Sequence, residues 1–180
     1  MEVLEAIKTR RSIRQYKNQP IPPDVIQKLL EAGRWAPSAG NSQPWEFIVF
    51  TDVELRKRVS LSFVFGRYLA DAPLGIAIVV DPFRTACAIQ DGTLATYAIW
   101  LAAHALGLGA CWINPNISGG IKKILGIPTT KKLICILSIG YPAESPSRTR
   151  RDLQDIVYFE KYGNKEAYLK ATMVNVEADS

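Results

Sequence analysis

The chain has 180 residues, a length that suits one domain with a sizeable buried core. Hydrophobic residues make up 48% of it and charged residues 22%, which argues against an intrinsically disordered chain and against a fibrous repeat. The net charge of +5 is spread along the sequence without a long basic stripe interleaved with aromatic residues, a pattern that argues against nucleic-acid binding.

Hydrophobic spacing and turn signals predict strands separated by helices, the alternation typical of a three-layer α+β fold. The predicted helices cover residues 3–9, 23–35, 53–61, 85–106 and 118–126, the third capped by Asp52 and the last by Ser118. The predicted strands cover residues 45–50, 74–80, 110–113 and 133–139. Residues 37–44 form a polar loop, and residues after Gly140 form a Pro/Ser/Arg-rich extension that we expect to pack on a neighbouring molecule.

Residues 93–113 contain no Asp, Glu, Lys or Arg and are long enough to cross a bilayer. His104, Gly107 and the absence of flanking basic clusters favour a buried central helix instead. The first five residues lack the basic and apolar regions of a signal peptide. We therefore expect a cytoplasmic protein with no membrane association.

The three cysteines, Cys87, Cys111 and Cys135, are widely spaced and include no CxxC pair. With a single histidine in the chain, they predict no zinc site. We expect buried free thiols, which suits a reducing cytoplasm.

Arg10, Arg11 and Arg14 lie within five residues, together with Ser12 and without an acidic neighbour inside the cluster. Arginine offers a planar set of donors that matches phosphate or carboxylate oxygens, so the cluster is typical of an anion pocket. A solvated basic helix end is the alternative that the cluster alone leaves open.

Hydrolytic chemistry is hard to assign to this sequence. The sole histidine, His104, lies in the middle of an apolar helix face, where we expect a satisfied core histidine. Neither a nucleophile elbow nor a metalloprotease motif is present. Gly107 and Gly109 end a helix and precede a strand, the reverse of the dinucleotide-binding order, so we interpret them as a helix C-cap.

Two basic segments, 10–14 and 148–150, could converge on one phosphate. Asn41 and Gln43 in the polar loop could bind the amide-like edge of a ring, although Asn41 could instead serve only as a turn residue. A phosphate joined to a planar heterocycle would be a mononucleotide or a flavin.

Four segments resemble the signature segments of the nitroreductase family, in the family's order and over nearly the whole chain. They are RRSIRQY at 10–16, WAPSAGNSQPW at 35–45, GLGACWI at 107–113, and RRDL at 150–153 with Ile156 and Val157. The resemblance implies one domain over residues 1–180, with a three-layer α+β fold in which helices wrap a mixed central β-sheet. It also implies a homodimer whose C-terminal extension packs on the partner subunit and whose interface binds FMN noncovalently.

The resemblance also implies a set of FMN-binding residues, some on each subunit. The segment at 10–14 should hold the phosphate and the pyrimidine edge, Arg150 with help from Arg148 should reach the same phosphate, and the loop at 37–43 should close around the ring. The predicted residues are Arg10, Arg11, Ser12, Arg14, Pro37, Ser38, Ala39, Asn41, Gln43, Ile113, Asn114, Pro115, Arg148 and Arg150.

In the family, backbone groups after the GLGACWI segment lie near the flavin N5, which here means Ile113, Asn114 and Pro115. Pro115 has no N–H to donate. A hydrogen bond to N5 from this turn therefore requires Asn114, Asn116 or another neighbour.

The implied activity is transfer of electrons from NADH or NADPH through flavin N5 to a nitroaromatic or a quinone, with ping-pong turnover. The flavin carries this chemistry, so we predict no catalytic side chain and no metal. Residues 63–68 lie where members of the family carry longer lid insertions, and this short lid predicts an open pocket with little discrimination. A flavin carrier or sensor without turnover, a flavin reductase and a dehalogenase-type relative remain the alternatives.

Overall fold

The computed structural model describes residues 1–115 and 120–165. Its helices are α1 (Val3–Thr9), α2 (Pro23–Arg34), α3 (Val53–Ser60), α4 (Ala88–Ala105), α5 (Gly120–Ile124) and α6 (Leu153–Ile156). Its strands are β1 (Trp45–Phe50), β2 (Leu74–Val80), β3 (Gly109–Ile113) and β4 (Lys132–Gly140). The predicted cap at Ser118 lies outside the described residues. Among the described helices, none is long and apolar enough to cross a membrane.

The four strands form one sheet in the order β1-β2-β4-β3, with every neighbouring pair antiparallel. A parallel bridge joins Ser12 to Ala110 at the outer side of β3. The α+β class is confirmed, and within the described residues the parallel part of the predicted mixed sheet is this one bridge. All seven residues of β2 are buried, as its continuous apolar run predicts.

Side chains alternate between the two faces of β2, and each face packs against its own helices. Ile76 and Ile78 belong to a core cluster with Leu29 of α2 and Ile99 of α4. Ala77, between them, belongs to a second cluster that includes side chains of α3 and α5. The sheet is therefore the middle of three layers, as the sequence predicts.

Helix α4 begins at Ala88, three residues later than predicted, because the Thr85 hydroxyl accepts a hydrogen bond from the Cys87 N–H at 3.1 Å and forms a turn. Cys87 is consequently exposed, so the prediction of three buried thiols is wrong for this residue. Cys111 and Cys135 are buried and free, as predicted. Gly107 has a φ of +79° directly after α4, which confirms the C-cap.

His104 differs from the predicted core histidine. It lies in the last turn of α4 and is half-buried, because the helix ends one residue later at the surface. Its Nε2 is 2.8 Å from the Thr9 hydroxyl, so the histidine has a partner but no place in the core.

The described chain divides into two compact units, the first ending at Pro146 and the second beginning at Ser147. The sheet and helices α1 to α5 belong to the first unit, and α6 belongs to the second. The predicted single domain over 1–180 stays a prediction.

Candidate functional site

The arginine segment at 10–16 follows α1 and is held along β3. The Ile13 N–H donates to the Ala110 carbonyl at 3.1 Å, and Ser12 forms the parallel bridge to the same residue. Ile13 is buried because Gly109 has no side chain: a Cβ there would lie 2.5 Å from Ile13. Glycine at 109 therefore allows the segment to approach the sheet this closely.

Tyr16 and Glu144 connect the segment to β4 and to the residues that follow it. The Tyr16 hydroxyl donates to the Ile13 carbonyl and is 2.7 Å from the Ser138 Oγ. Burial raises the pKa of Tyr16 above its usual value, so the hydroxyl stays protonated. The Glu144 carboxylate accepts from the backbone N–H groups of Arg14 and Gln15. The backbone of this segment is therefore fixed on both sides.

The three arginines of the segment have different surroundings. Arg11 donates from Nη1 to the carbonyls of Lys8 at 2.7 Å and Arg10 at 2.8 Å, so it caps the C-terminal end of α1. Arg10 stacks on Trp100 of α4, with 4.2 Å from its Cζ to the ring centroid. Arg14 is exposed.

A cavity of about 620 Å³ lies where Arg14 meets the end of β3. It is lined by Arg14, Val64, Phe65, Gly66, Arg67, Tyr68, Trp112, Ile113 and Asn114. Three predicted site residues, Arg14, Ile113 and Asn114, thus contribute to one cavity although about 100 residues separate them in the chain.

Tyr68 is a half-buried aromatic residue of this cavity. Its hydroxyl is 3.2 Å from the Cys111 Sγ, and the Arg14 guanidinium lies 5.8 Å from its ring centroid. Burial, helped by the hydrogen bond to Cys111, raises the pKa of Tyr68 above its usual value. The cavity therefore contains a neutral phenol at ordinary pH.

The polar loop at 37–43 has an unusual backbone. Gly40, Asn41 and Gln43 have φ values of +57°, +54° and +44°, a region in which glutamine is uncommon. The side chains of Asn41 and Gln43 are exposed, whereas the loop backbone is hydrogen-bonded to a buried side chain of α4. Such backbone strain persists only where the surroundings fix it, and it concentrates at binding sites.

Asp91, near the start of α4 and 3% exposed, provides that anchor. Its carboxylate accepts from the Ala39 N–H at 3.2 Å and from the Ser42 hydroxyl at 3.4 Å. The Gln43 N–H donates to the Ser38 Oγ at 3.0 Å, and Arg84 donates to the Gln43 carbonyl at 3.1 Å. The loop is therefore positioned by α4 and the turn before it.

Sequence reasoning missed several residues of this site. Arg67, Tyr68 and Trp112 line the cavity and were not among the predicted FMN residues. Their segments were visible as the short lid and the GLGACWI motif, but the contact between Tyr68 and Cys111 joins residues 43 positions apart. The periodicity of residues along a helix or a strand does not predict a contact between residues so far apart in the chain.

The remaining predicted residues lie elsewhere or are not described. Pro115 follows Asn114 and is half-buried, and Asn116 lies outside the described residues. Arg148 and Arg150 are exposed residues of the second unit. Their predicted roles stay predictions.

The chain matches the family model described as Nitroreductase family over residues 7–64 and 61–141. It is 37% identical over 171 residues to a protein of Methanothermobacter thermautotrophicus provisionally named NADH dehydrogenase/NAD(P)H nitroreductase, a match that covers 90% of this chain and 88% of that one.

Solved structures show the same fold. An FMN-dependent nitroreductase from Clostridium difficile superposes with a TM-score of 0.82 at 33% identity, covering 89% of this chain and 100% of that chain. A provisionally named nitroreductase from Desulfovibrio desulfuricans, solved in complex with FMN, gives 0.83 at 30% identity, covering 90% and 98%. The extent of the family match and these similarities establish that the chain belongs to the nitroreductase family.

Proposed function

We propose that this chain is an FMN-dependent oxidoreductase that passes electrons from NADH or NADPH to a small-molecule acceptor such as a nitroaromatic or a quinone. The observation that carries the proposal is the cavity in which Arg14, Tyr68 and Asn114 meet the indole of Trp112. Relatives with FMN and NAD(P)H in their names support the same cofactor and donors.

The residues present fit FMN. A flavin needs flat apolar surface for its ring, donors for its polar edge and cations for its phosphate. The cavity combines the Trp112 and Tyr68 rings with the donors of Arg14 and Asn114, and Arg10 and Ser12 lie on the same segment as Arg14. Its volume of about 620 Å³ is within the ordinary range for a cofactor site.

All the predicted residues except Pro115 have a place in this proposal. Arg10, Ser12 and Arg14 hold the phosphate and the pyrimidine edge, while Arg11 fixes the end of α1 beside them. The turn after β3 would supply an N–H to N5 from Asn114 or another neighbour, because Pro115 has no N–H. Further contacts come from Ile113, from Pro37, Ser38, Ala39, Asn41 and Gln43 of the loop, and from Arg148 and Arg150. Bound FMN supplies the two-electron chemistry, and the side chains bind, orient and exclude water.

A second copy of the chain completes the site in this proposal. Helix α4 exposes Ile89, Leu94 and Tyr97, whose exposed fractions are 50%, 44% and 38%. Exposed apolar side chains on one helix are typical of a surface that another subunit covers. We infer a homodimer in which the loop at 37–43 and the C-terminal extension of one subunit serve the cavity of the other. A cytoplasmic location, suited to the free Cys111 and Cys135, is part of the proposal.

Steady-state kinetics test the activity. Under anaerobic conditions, purified protein loaded with FMN should oxidise NADH or NADPH continuously only when nitrobenzene or 1,4-benzoquinone is present, with parallel double-reciprocal lines that indicate ping-pong turnover. The alternative function, a flavin carrier or sensor, predicts bound FMN without turnover. Protein that binds FMN yet turns over neither acceptor with either donor would refute the enzyme and favour the carrier.

A further inference from the structure

The cavity at the end of β3 is positively charged. Among the described residues that line it, both charged side chains are arginines, Arg14 and Arg67. Neither guanidinium forms an ion pair with a carboxylate of the described chain. A cleft lined by one sign of charge attracts ligands of the opposite sign.

Arg14 and Arg67 lie on two different segments, and each segment is fixed to the fold by its own contacts. Arg14 belongs to the segment fixed along β3, which carries the proposed FMN contacts. Arg67 belongs to the wall at 64–68, which is anchored separately. An ideal Cβ on Gly66 would lie 2.7 Å from Ile113, and Leu69 in the turn after Arg67 is fully buried. The backbone at Arg67 is thus packed against the end of β3 while its side chain is exposed.

The same wall presents aromatic surface. Phe65 is 88% exposed, and the rings of Tyr68 and Trp112 also line the cavity. Phe65 offers an exposed ring for stacking, and Arg67, two residues later, offers a cation that can pair with an anion. A planar aromatic molecule that carries an anionic group would satisfy both.

We propose that the preferred acceptor is an aromatic compound bearing a carboxylate or a similar anion, and that Arg67 recognises the anion. The inference rests on the proposed function and specifies its substrate class. It also replaces the expectation of an undiscriminating pocket with one of selection by charge. The guanidinium of Arg67 pairs with the anion, while the exposed ring of Phe65 contacts the aromatic ring of the acceptor.

The kinetic test uses two acceptors that differ in charge, 4-nitrobenzoate and 4-nitrobenzamide, with NADH as donor. The parent protein should favour the benzoate in kcat/KM. Arg67→Gln should lower the benzoate-to-benzamide ratio about tenfold, since an ionic hydrogen bond of this kind contributes about that factor. Arg58→Gln is the matched control, because Arg58 is an exposed arginine of α3 that does not line the cavity. Its ratio should equal that of the parent.

A binding measurement separates this inference from the proposed activity. Calorimetric titration of the FMN-loaded protein with benzoate and benzamide, which are not reduced, should show a benzoate preference that Arg67→Gln removes and that added salt weakens. A benzoate preference that Arg67→Gln removes, without any turnover, would support the anion-binding role of Arg67 and refute the proposed reductase.

A benzoate-to-benzamide ratio that is the same in Arg67→Gln and in the parent, whatever the rate of turnover, would overturn the inference. If that unchanged ratio came with a selective loss of kcat/KM for NADPH relative to NADH in Arg67→Gln, the cation would be assigned to the phosphate of the donor.

Discussion

Arg10, Arg11 and Arg14 are close neighbours in sequence, yet each has a different role in the structure. Arg11 is bonded to carbonyls at the end of α1, Arg10 stacks on Trp100, and Arg14 is exposed at the cavity. The composition of the segment is typical of an anion pocket, with a solvated helix end as the alternative, and it does not distinguish the three arginines. The surroundings of the three arginines differ because α1 ends beside them and because Trp100 of α4, 90 residues away in the chain, packs on Arg10. No local pattern in the sequence reveals either contact.

Arg14→Ala should weaken FMN binding about 10- to 100-fold. A charge-assisted hydrogen bond contributes about 1.5–3 kcal/mol, and the exposed Arg14 side chain has no described carboxylate partner whose loss would destabilise the fold. Fluorescence titration of the apoprotein with FMN measures the effect. Arg58→Ala, at an exposed position of α3, is the control and should bind FMN as the parent does. Equal affinity in Arg14→Ala and the control would refute this assignment.

His104→Gln should reduce the pH dependence of stability near neutrality. Partial burial and the charges of Arg10 and Arg11 lower the pKa of His104, so the unfolded chain binds a proton more readily than the folded chain. The free energy of unfolding should therefore fall as the pH drops below about 6.5. Urea unfolding at several pH values should show a smaller fall in the variant. If the free energy of unfolding fell with pH equally in the variant and the parent, His104 would not be the group responsible.

At the scale of elements, local chemistry predicted most of the fold. The apolar run at β2 is buried on both faces, and the Asp52 side chain caps α3 by accepting from the Leu55 N–H at 2.7 Å. The predicted start of α4 at residue 85 was wrong, because the turn at Thr85 competes with the helix. The polar loop was correctly placed, but its anchoring by Asp91 required knowledge of the tertiary contact.

Gly109→Ala should displace the arginine segment from β3 and weaken FMN binding. A Cβ at this position would lie 2.5 Å from Ile13, an overlap that costs about 1–3 kcal/mol and moves the neighbouring backbone. Gly75→Ala is the matched control, since the nearest atoms to a Cβ there belong to Phe50, at 2.3 Å, and not to Ile13.

Both glycine variants should lower the midpoint of urea unfolding, but only Gly109→Ala should also lower FMN affinity. Loss of FMN affinity in both variants to the same degree would show that general destabilisation, and not the position of the segment, controls binding.

At the scale of the whole molecule, the sequence could not reveal which distant residues meet. Arg14 bonds through its N–H to Glu144, 130 positions away, and Tyr68 meets Cys111 across 43 positions. These contacts depend on the strand order β1-β2-β4-β3, in which β3 and β4 are neighbours at one end. Resemblance to the family predicted a common site for Arg14, Ile113 and Asn114, which line one cavity. Spacing within the chain does not encode strand order and could not predict that these residues meet.

Leu94→Glu should dissociate the proposed dimer and release FMN. Leu94 is 44% exposed on α4, and a carboxylate buried at an interface would be left without a partner. Val53→Glu is the control, because Val53 is similarly exposed at the start of α3. Sedimentation velocity with simultaneous flavin absorbance measures both effects. A parent protein that sediments as a monomer with full FMN would contradict the two-subunit site.

The central claim is that the cavity binds a flavin that NAD(P)H reduces, and the visible spectrum of the purified protein tests it most directly. FMN-loaded protein should show the yellow flavin bands, and anaerobic addition of NADH or NADPH should bleach them. A protein that takes up no FMN would contradict the claim, as would one whose bound flavin stays yellow with both donors.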